Sequence, residues 1–284
     1  MQIQKSFQQP KPTLFLVGTP IGNLSDMTPR AIETLKSVTL IASEDTRVTK
    51  KLCNHFSIET PLTSYHEHNK HQKTELILNQ LATVGDVALV SDAGLPLISD
   101  PGDQLVNIAL ASNFSVVPIP GANAALTALI ASGLAPQPFL FYGFLERQKS
   151  KKKAELLTLS PLSATLIFYE SPHRIKETLL VMLDVFGNRQ VVIARELTKM
   201  FEEFLRGSIE DVVDSLDQVK GEVVLVVEGG APQKEESTWW EHLTLHEHVA
   251  HYLGQGMKPN AAIKQTASDL ERPRQDVYKE YHHG

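Results

Sequence analysis

Apolar and polar positions in the first half of the chain alternate between short, wholly apolar runs and longer amphipathic stretches. Residues 14–17 and 87–90 are continuous apolar runs, which are typical of strands buried on both faces of a parallel sheet. The stretches between such runs repeat apolar residues at helical spacing. Thr28 followed by Pro29 is typical of a helix N-cap and first helical residue. Because strand and helix patterns take turns, the sequence predicts an α/β fold with a largely parallel first sheet.

The same pattern gives the bounds of the predicted elements. In the first half, strands are predicted at 14–17, 38–42, 87–90 and 116–119, and helices at 28–35, 46–55, 70–81, 101–111 and 122–131. In the second half, strands at 139–142, 165–169, 191–194, 204–206 and 222–227 predict a mixed sheet, with helices after Pro172 and over 209–216. Short helical patterns at 246–253, 261–270 and 273–281 predict a small helical tail.

These elements group into three predicted domains: 12–120, 121–230 and a tail at 239–284. A Gly-Gly-Ala-Pro segment from Gly229, followed by a polar Gln/Lys/Glu stretch, is predicted to be the linker before the tail. The turn at 254–259 is similar to that of a helix-turn-helix, and a dimerisation or capping piece is an equally good interpretation of the tail.

Composition narrows the class of protein. The net charge of −6 means that an RNA partner would need a local basic surface. One basic run, at 147–153, is either such a surface or a solvated helix start. A single cysteine, Cys53, excludes an internal disulfide and fits a reducing compartment. No apolar run reaches the length of a membrane span, so we expect a cytoplasmic protein without a membrane partner.

Polar loops follow the predicted strands, at the edge where open α/β sheets bind their ligands. The segment 91–102 (SDAGLPLISDPG) follows a buried strand, and 43–47 (SEDTR) follows another. Asp100, Pro101 and Asp103 fit the N-cap, first helical residue and acidic third position of a helix, which leaves 91–99 as the ligand-binding candidate. Ser171 and Pro172 likewise fit a helix start.

Other site chemistries find little support in the sequence. The loop at 18–23 is neither a dinucleotide fingerprint nor a Walker loop. His66, His68 and His71 have no second cluster of ligands, so no metal site is expected. A nucleophile elbow and a Cys/His pair are also missing, which argues against covalent catalysis.

Six segments taken in order resemble one family. They are 18–24 (GTPIGNL), 43–47 (SEDTR), 65–69 (YHEHN), 91–102, 168–174 (FYESPHR) and 194–199 (ARELTK). The chain resembles the ribosomal RNA small subunit methyltransferase I family, which is similar in fold to the tetrapyrrole methylases. One departure is Leu95, where the family usually has threonine.

The resemblance implies a two-domain tetrapyrrole-methylase-like α/β fold with a mainly parallel first sheet, a mixed second sheet and a helical tail. It also implies S-adenosylmethionine as methyl donor and a homodimer. The implied acceptor is the 2′-hydroxyl of a decoding-centre cytidine, cytidine-1402 of 16S rRNA, in free rRNA or the assembled small ribosomal subunit. The donor site it implies consists of Ser91, Asp92, Ala93, Gly94, Leu97, Ile98, Ser99, Gly121, Asn123, Ala124 and Leu197.

A ribose hydroxyl is a poor nucleophile, so a base or hydrogen-bond acceptor should assist it. The candidates are Glu170, His173 and Glu196, with Asp45 behind them and His68 as a further candidate. Cationic side chains are expected to hold RNA phosphates. The predicted RNA-binding set is Arg47, His68, Arg147, Lys149, Lys151, Lys152, Lys153, Arg174 and Lys199.

Three rival functions stay open at this stage. A methylase of a tetrapyrrole or other small molecule would keep the fold and change the acceptor. A nucleic-acid-binding regulator without enzymatic activity would act through the tail helices. A nicotinamide-dependent oxidoreductase is disfavoured because the glycine fingerprint is missing.

Overall fold

The computed structural model describes residues 3–6, 8, 11–216, 221–230, 239–240 and 242–283. Contacts within the chain divide it into two compact units, 1–231 and 232–284. The first unit contains both sheets. The predicted division at 120/121 lies inside this unit and stays a prediction. The predicted linker runs into residues 231–238, which lie outside the described residues.

The first sheet has five parallel strands in the order β3-β2-β4-β1-β5. The strands are β1 (Thr13–Val17), β2 (Leu40–Ser43), β3 (Leu62–Ser64), β4 (Val87–Val90) and β5 (Ser115–Ile119). The predicted parallel sheet is confirmed, and β3 is an addition that the pattern did not predict. Because all five strands are parallel, the loops after them meet at one edge of the sheet.

Helices cover both faces of this sheet. They are α1 (Pro29–Ser37), α2 (Thr46–His55), α3 (Lys70–Thr83) and α4 (Asp103–Ala111). One apolar cluster includes Leu35 and Ile41, and the other includes Ile77 and Leu105. Burial on both faces explains why the β4 sequence is wholly apolar.

The second sheet is mixed, as predicted, in the order β6-β7-β10-β8-β9, and only the β6–β7 pair is parallel. Its strands are β6 (Phe139–Phe144), β7 (Thr165–Glu170), β8 (Gln190–Arg195), β9 (Glu203–Ser208) and β10 (Val223–Val227). Helices α6 (Lys149–Leu159), α7 (Ile175–Phe186) and α8 (Ile209–Ser215) contribute to a core on one face. On the other face, α5 (Ala124–Ser132) packs Ala128 and Leu129 against it.

Helix starts show where local capping rules hold and where they fail. Thr28 caps α1 through a 3.1 Å bond from the Ala31 N–H, as predicted. The predicted cap at Asp100 is wrong, because α4 begins at Asp103 and its N-cap is Gly102, at φ 148°. The predicted helix start at His173 is also wrong. Residues 172–174 form a turn, and α7 begins at Ile175.

The second unit is a small helical bundle of α9 (Leu245–Gly254), α10 (Pro259–Asp269) and α11 (Arg274–His283). Its core contains Val249, Ile263 and Val277. Three tail helices were predicted, and the structure confirms all three with bounds shifted by one or two residues. Among the described residues, no helix is both long and apolar enough to cross a bilayer.

Candidate active site

The loops after β1, β4 and β5 are joined at the carboxyl edge of the first sheet. Gly18 donates its N–H to the Ile119 carbonyl at 3.2 Å, and Thr19 and Gly94 exchange backbone hydrogen bonds of 2.9 and 3.1 Å. Gly18 and Gly121 approach so closely that a Cβ on either residue would lie 2.8 Å from the Cα of the other. Glycine is required at both positions for the loops to meet.

The loop after β4 is held by its own hydrogen bonds. The Ser91 hydroxyl lies 3.2 Å from the carbonyl oxygens of both Ala93 and Gly94. Leu97 and Ser99 have φ values of 72° and 67°, a backbone region that non-glycine residues rarely adopt. Such strain is often found at ligand-binding sites, where the surrounding structure enforces it.

A loop of the second sheet, 196–199, lies against this edge. Glu196 and Thr198 have φ values of 50° and 67°, and the Lys199 ammonium bonds the Glu196 carboxylate at 3.0 Å. A Cβ on Gly22 would lie only 2.8 Å from the Lys199 side chain. The loops of the two sheets are therefore in direct contact.

Two adjoining clefts lie between these loops. The first has a volume of about 230 Å³ and includes residues of both sheets in its walls. The second, of about 380 Å³, lies beside α2. They share a wall formed by Ile21, Asp92, Ala93 and Glu222. Two ligands bound in the clefts would therefore meet at this wall.

Most of the predicted donor-site residues lie at the first cleft. Asp92, Ala93, Gly94, Ile98, Ser99, Asn123 and Ala124 line it. Ser91 holds the loop and lines the second cleft. The Leu97 side chain packs in the core of the first sheet and lines neither cleft, so the place of Leu97 in the donor site stays a prediction. Gly121 shapes the loop junction, and Leu197 is buried beneath the site.

Acidic side chains make this cleft strongly negative. Burial, together with the nearby Glu44, raises the pKa of Asp100 to about 6. Burial and then Asp92 raise the pKa of Glu44, and Glu222 adds a further carboxylate to the cleft wall. Because like charges at close range disfavour ionisation, a bound cation would relieve the repulsion among them.

One wall of the first cleft is aromatic. The rings of Phe144 and Tyr169 meet edge to face at 5.6 Å, and Phe141 packs on Tyr169 at 4.9 Å. Burial raises the pKa of the Tyr169 hydroxyl, which therefore stays neutral. Such a wall offers a flat apolar surface to a ring system.

The structure argues against Asp45 as a base. Its carboxylate caps α2 and accepts hydrogen bonds from the Arg47 side chain and N–H, at 2.6 to 3.2 Å. These bonds lower the pKa of Asp45 to about 2. An anion with so low a pKa is a weak proton acceptor.

Glu170 lines the first cleft, but its oxygens already have protein donors. Oε2 accepts a 2.6 Å bond from the Thr178 hydroxyl, and Oε1 accepts one of 2.8 Å from the Ser171 N–H. The Arg174 guanidinium lies 3.4 Å from Oε1. Both carboxylate oxygens of Glu170 are thus held by protein donors in a buried position.

The other predicted bases lie away from the cleft walls. His173 is exposed on the turn before α7, and His68 is exposed and lies edge to face against His66. Glu196 is paired with Lys199 and packs over Gly221. None of these three side chains lines either cleft.

Of the predicted phosphate contacts, Lys152 is corrected and Arg174 is engaged within the protein. Lys152 is fully buried, and its ammonium bonds the Thr178 hydroxyl at 2.9 Å. Arg174 donates to the carbonyls of Leu145 and Glu146 and lies against Glu170. Lys152 is therefore not available to RNA, whereas Arg174 is partly exposed and stays a predicted contact.

The remaining predicted RNA contacts are exposed to different extents. Arg147, Lys149 and Lys151 are exposed at the start of α6, as the helix-start interpretation predicts, whereas Lys153 is paired with Asp184 at 2.6 Å. Arg47 is exposed but bonded to Asp45. Lys199 lines the second cleft.

Sequence reasoning missed Leu95, Asp100, Phe144, Tyr169 and Glu222, all of which line the first cleft. The sequence assigned Asp100 to a helix cap, but α4 begins three residues later and Asp100 lines the cleft instead. Glu222 had been placed inside a strand that begins one residue later.

Within the described parts of the chain, no three His, Cys, Asp or Glu side chains are grouped so that they could hold a metal ion.

The fold is shared with known methylases. The family model for Tetrapyrrole (Corrin/Porphyrin) Methylases matches residues 13–213. Uroporphyrin-III C-methyl transferase from Thermus thermophilus, complexed with S-adenyl homocysteine, aligns with a TM-score of 0.56 and 17% identity over 76% of this chain and 97% of that one. Diphthine synthase aligns with a TM-score of 0.59 and 15% identity over 76% and 90% of the two chains. The fold and the two-sheet cleft define a methyltransferase of the tetrapyrrole methylase class.

Sequence relatives are more specific. The chain is 56% identical to ribosomal RNA small subunit methyltransferase I of Bacillus subtilis, over 95% of this chain and 94% of that protein. It is 54% identical to the protein of that name in Halalkalibacterium halodurans, over 99% of both, and 44% identical to that of Synechocystis, over 94% and 96%. The chain belongs to the ribosomal RNA small subunit methyltransferase I family.

Proposed function

We propose that this protein transfers a methyl group from S-adenosylmethionine to the 2′-hydroxyl of a decoding-centre cytidine, cytidine-1402, in small-subunit rRNA. Membership of a family whose relatives carry the rRNA methyltransferase name supports the reaction class. The single observation that carries the proposal is the pair of adjoining clefts, because a transfer reaction needs donor and acceptor side by side.

The residues of the first cleft fit a cationic donor. Carboxylates of Asp92, Asp100 and Glu222 complement a positive charge, and the tight loop around Gly94 lets backbone groups come close to a ligand. Phe144 and Tyr169 offer a face to an aromatic ring. When bound, the donor supplies a methyl group on a positively charged sulfur.

The protein's own part in the reaction is chiefly alignment and exclusion of water. Leu97, Ser99 and Thr198 hold rarely adopted backbone angles, which indicates that the surrounding structure already imposes the shape of these loops. Glu170 follows Tyr169 of the aromatic wall, and its buried carboxylate is held in place by the Thr178 hydroxyl. The acceptor hydroxyl would approach from the second cleft.

Two carboxylates, Asp92 and Glu222, lie on the shared wall where donor and acceptor meet. Asp92 accepts the Asp45 N–H at 3.0 Å. We infer that Glu222 accepts the hydroxyl proton on a carboxylate oxygen as the hydroxyl oxygen bonds the methyl carbon and the bond from that carbon to the donor sulfur breaks, which leaves a neutral thioether.

The Glu222→Gln variant tests this role. Loss of a general base lowers rates by about 100-fold or more, so kcat for RNA methylation at saturating S-adenosylmethionine should fall by that factor, whatever the loss of the Glu222 charge does to the Kd for the donor. Glu170→Gln and Glu196→Gln serve for comparison. If either lowers kcat as much while Glu222→Gln does not, the proton acceptor is assigned to the wrong residue.

The reaction itself is tested with tritium-labelled donor and unmodified small ribosomal subunits. We expect label at one ribose of the subunit RNA. Label in a precorrin-like tetrapyrrole, with none in RNA, would instead support a small-molecule methylase.

We further infer a cytoplasmic homodimer, acting on rRNA or the assembled small subunit. Exposed apolar side chains at Ile130, Met200 and Phe201 offer surface for a second copy. Sedimentation of the purified chain as a monomer at micromolar concentration would contradict the dimer.

A further inference from the structure

The second cleft is bounded on one side by α2, whose exposed positions include three cationic side chains. Arg47, Lys50 and Lys51 are three and four residues apart and share one face of the helix, with Asn54 a turn further on. Thr49 and Cys53 are buried on the opposite face. We call Arg47, Lys50 and Lys51 the α2 cationic face.

This face carries little compensating negative charge. The helix contains no acidic residue, and within the described part of the chain neither Lys50 nor Lys51 forms an ion pair. Only Arg47 does so, with Asp45. On a protein with a net charge of −6, two unpaired neighbouring lysines form a distinct local attraction for an anion.

The α2 cationic face is continuous with the second cleft. Lys51 lines both that cleft and a shallow groove of about 520 Å³ that also touches Arg47 and Lys50. Exposed Leu24 and Val48 form an apolar part of the same cleft. A cleft with an apolar surface and a cationic rim suits a nucleoside joined to phosphates.

We propose that the α2 cationic face binds the RNA backbone phosphates that flank the methylated nucleotide, with that nucleotide in the second cleft. This inference rests on the proposed function and deepens it. It moves the main phosphate contacts from the start of α6, where Lys152 is buried and Lys153 is paired, to a helix that the sequence predictions had marked only at Arg47.

The Lys50→Gln/Lys51→Gln variant tests the proposal with unmodified small ribosomal subunits as the probe. Each lost phosphate contact should reduce the slope of log K against log salt by about 1, so the slope should become shallower by about 2. We expect the Kd for subunits to rise about tenfold at low salt. The effect on KM for subunits should exceed the effect on kcat.

The matched control is Lys11→Gln/Lys36→Gln, which makes the same change in charge. Lys36 is exposed in the last turn of α1 and Lys11 precedes β1, so both lie at the opposite edge of the first sheet. Their variant should keep the wild-type slope. Unchanged calorimetric binding of S-adenosylmethionine by both variants shows that the fold is intact.

An unchanged salt slope in Lys50→Gln/Lys51→Gln would overturn the proposal, as would an equal loss in the control pair. A loss of slope confined to Lys149→Gln/Lys151→Gln would return the contact to α6 and overturn it too. If the wild-type chain neither binds subunits nor methylates their RNA, the proposed function itself fails, and this is seen before any variant is made.

Discussion

Asp100 shows how a single side chain links the local backbone to the chemistry of the site. Since α4 begins at Asp103, the Asp100 carboxyl is free to enter the first cleft. Burial, together with the nearby charges of Glu44, Asp92 and Glu222, raises the pKa of Asp100 to about 6. Such crowding disfavours the folded state without a ligand and favours a bound cation.

The Asp100→Asn variant should reveal this cost in the absence of donor. The pKa of Asp100 is about 4 in the unfolded chain and about 6 in the folded protein. Ionisation of this carboxyl therefore costs the folded state stability as pH rises from about 4 to about 6, and the cost is complete above about pH 6. The variant should therefore melt about 2–4 °C above wild type at pH 7.5 and match it at pH 4.

Thermal denaturation from pH 4 to 8 provides the measurement. Asp214→Asn changes an exposed acid on α8 and serves as the control. A gain of equal size at both ends of the pH range, or a lower melting temperature at pH 7.5, would show that Asp100 is not crowded as described.

The predicted ligand loop was identified from sequence because its evidence is local. An acid, an alanine and a glycine after a buried strand are visible in the chain itself. The partners of Asp100 are not visible in this way, because Glu44 and Glu222 come from distant segments that only the fold brings together. The cap rule therefore removed Asp100 from the site by a plausible but incorrect argument.

At the scale of elements, α6, α7 and β7 are joined by one buried polar chain. The Lys152 ammonium on α6 donates to the Thr178 hydroxyl on α7 at 2.9 Å, and that hydroxyl donates to Glu170 at the end of β7 at 2.6 Å. Buried polar groups are costly when left unpaired. This chain therefore fixes the helices of the second sheet against the floor of the site.

The Thr178→Val variant breaks this chain at its centre. It leaves one Glu170 oxygen without its buried donor and leaves the Lys152 ammonium with only its 3.3 Å pair to Glu177, so the free energy of unfolding should fall by about 2 kcal/mol. Urea denaturation measures the change. Thr158→Val is the control, because Thr158 is exposed on α6 and its hydroxyl bonds the Glu155 carbonyl of its own helix. Equal losses in the two variants would contradict the role of Thr178.

The elements also show why sequence prediction succeeded for some and failed for others. β4 and α2 were predicted with correct bounds, because the evidence for each is local. β4 is an unbroken apolar run, and Asp45 caps the start of α2. β3 has only three residues and exists through pairing with β2. The start of α4 depends on Gly102, where a Cβ would meet Leu89 at 2.9 Å. Both are consequences of tertiary contacts.

At the scale of the whole molecule, two sheets of different topology present their loops to one pair of clefts. The first sheet provides the loops at Gly18, Ser91 and Gly121, and the second provides the aromatic wall and Glu222. The acids line the clefts, whereas Lys50 and Lys51 lie on α2 at the rim of the second cleft. This separation of charge suits a cationic donor within and an anionic polymer at the surface.

The central claim is that the first cleft binds the methyl donor, and calorimetric titration with S-adenosylmethionine tests it most directly. Ala93 is exposed and lines both clefts, so Ala93→Trp should block them without disturbing the core. Ala154→Trp, at an exposed position of α6, is the matched control. We predict one donor bound per chain by wild type and Ala154→Trp, and none by Ala93→Trp. Absence of binding by folded wild type, or undiminished binding by Ala93→Trp, would contradict the account.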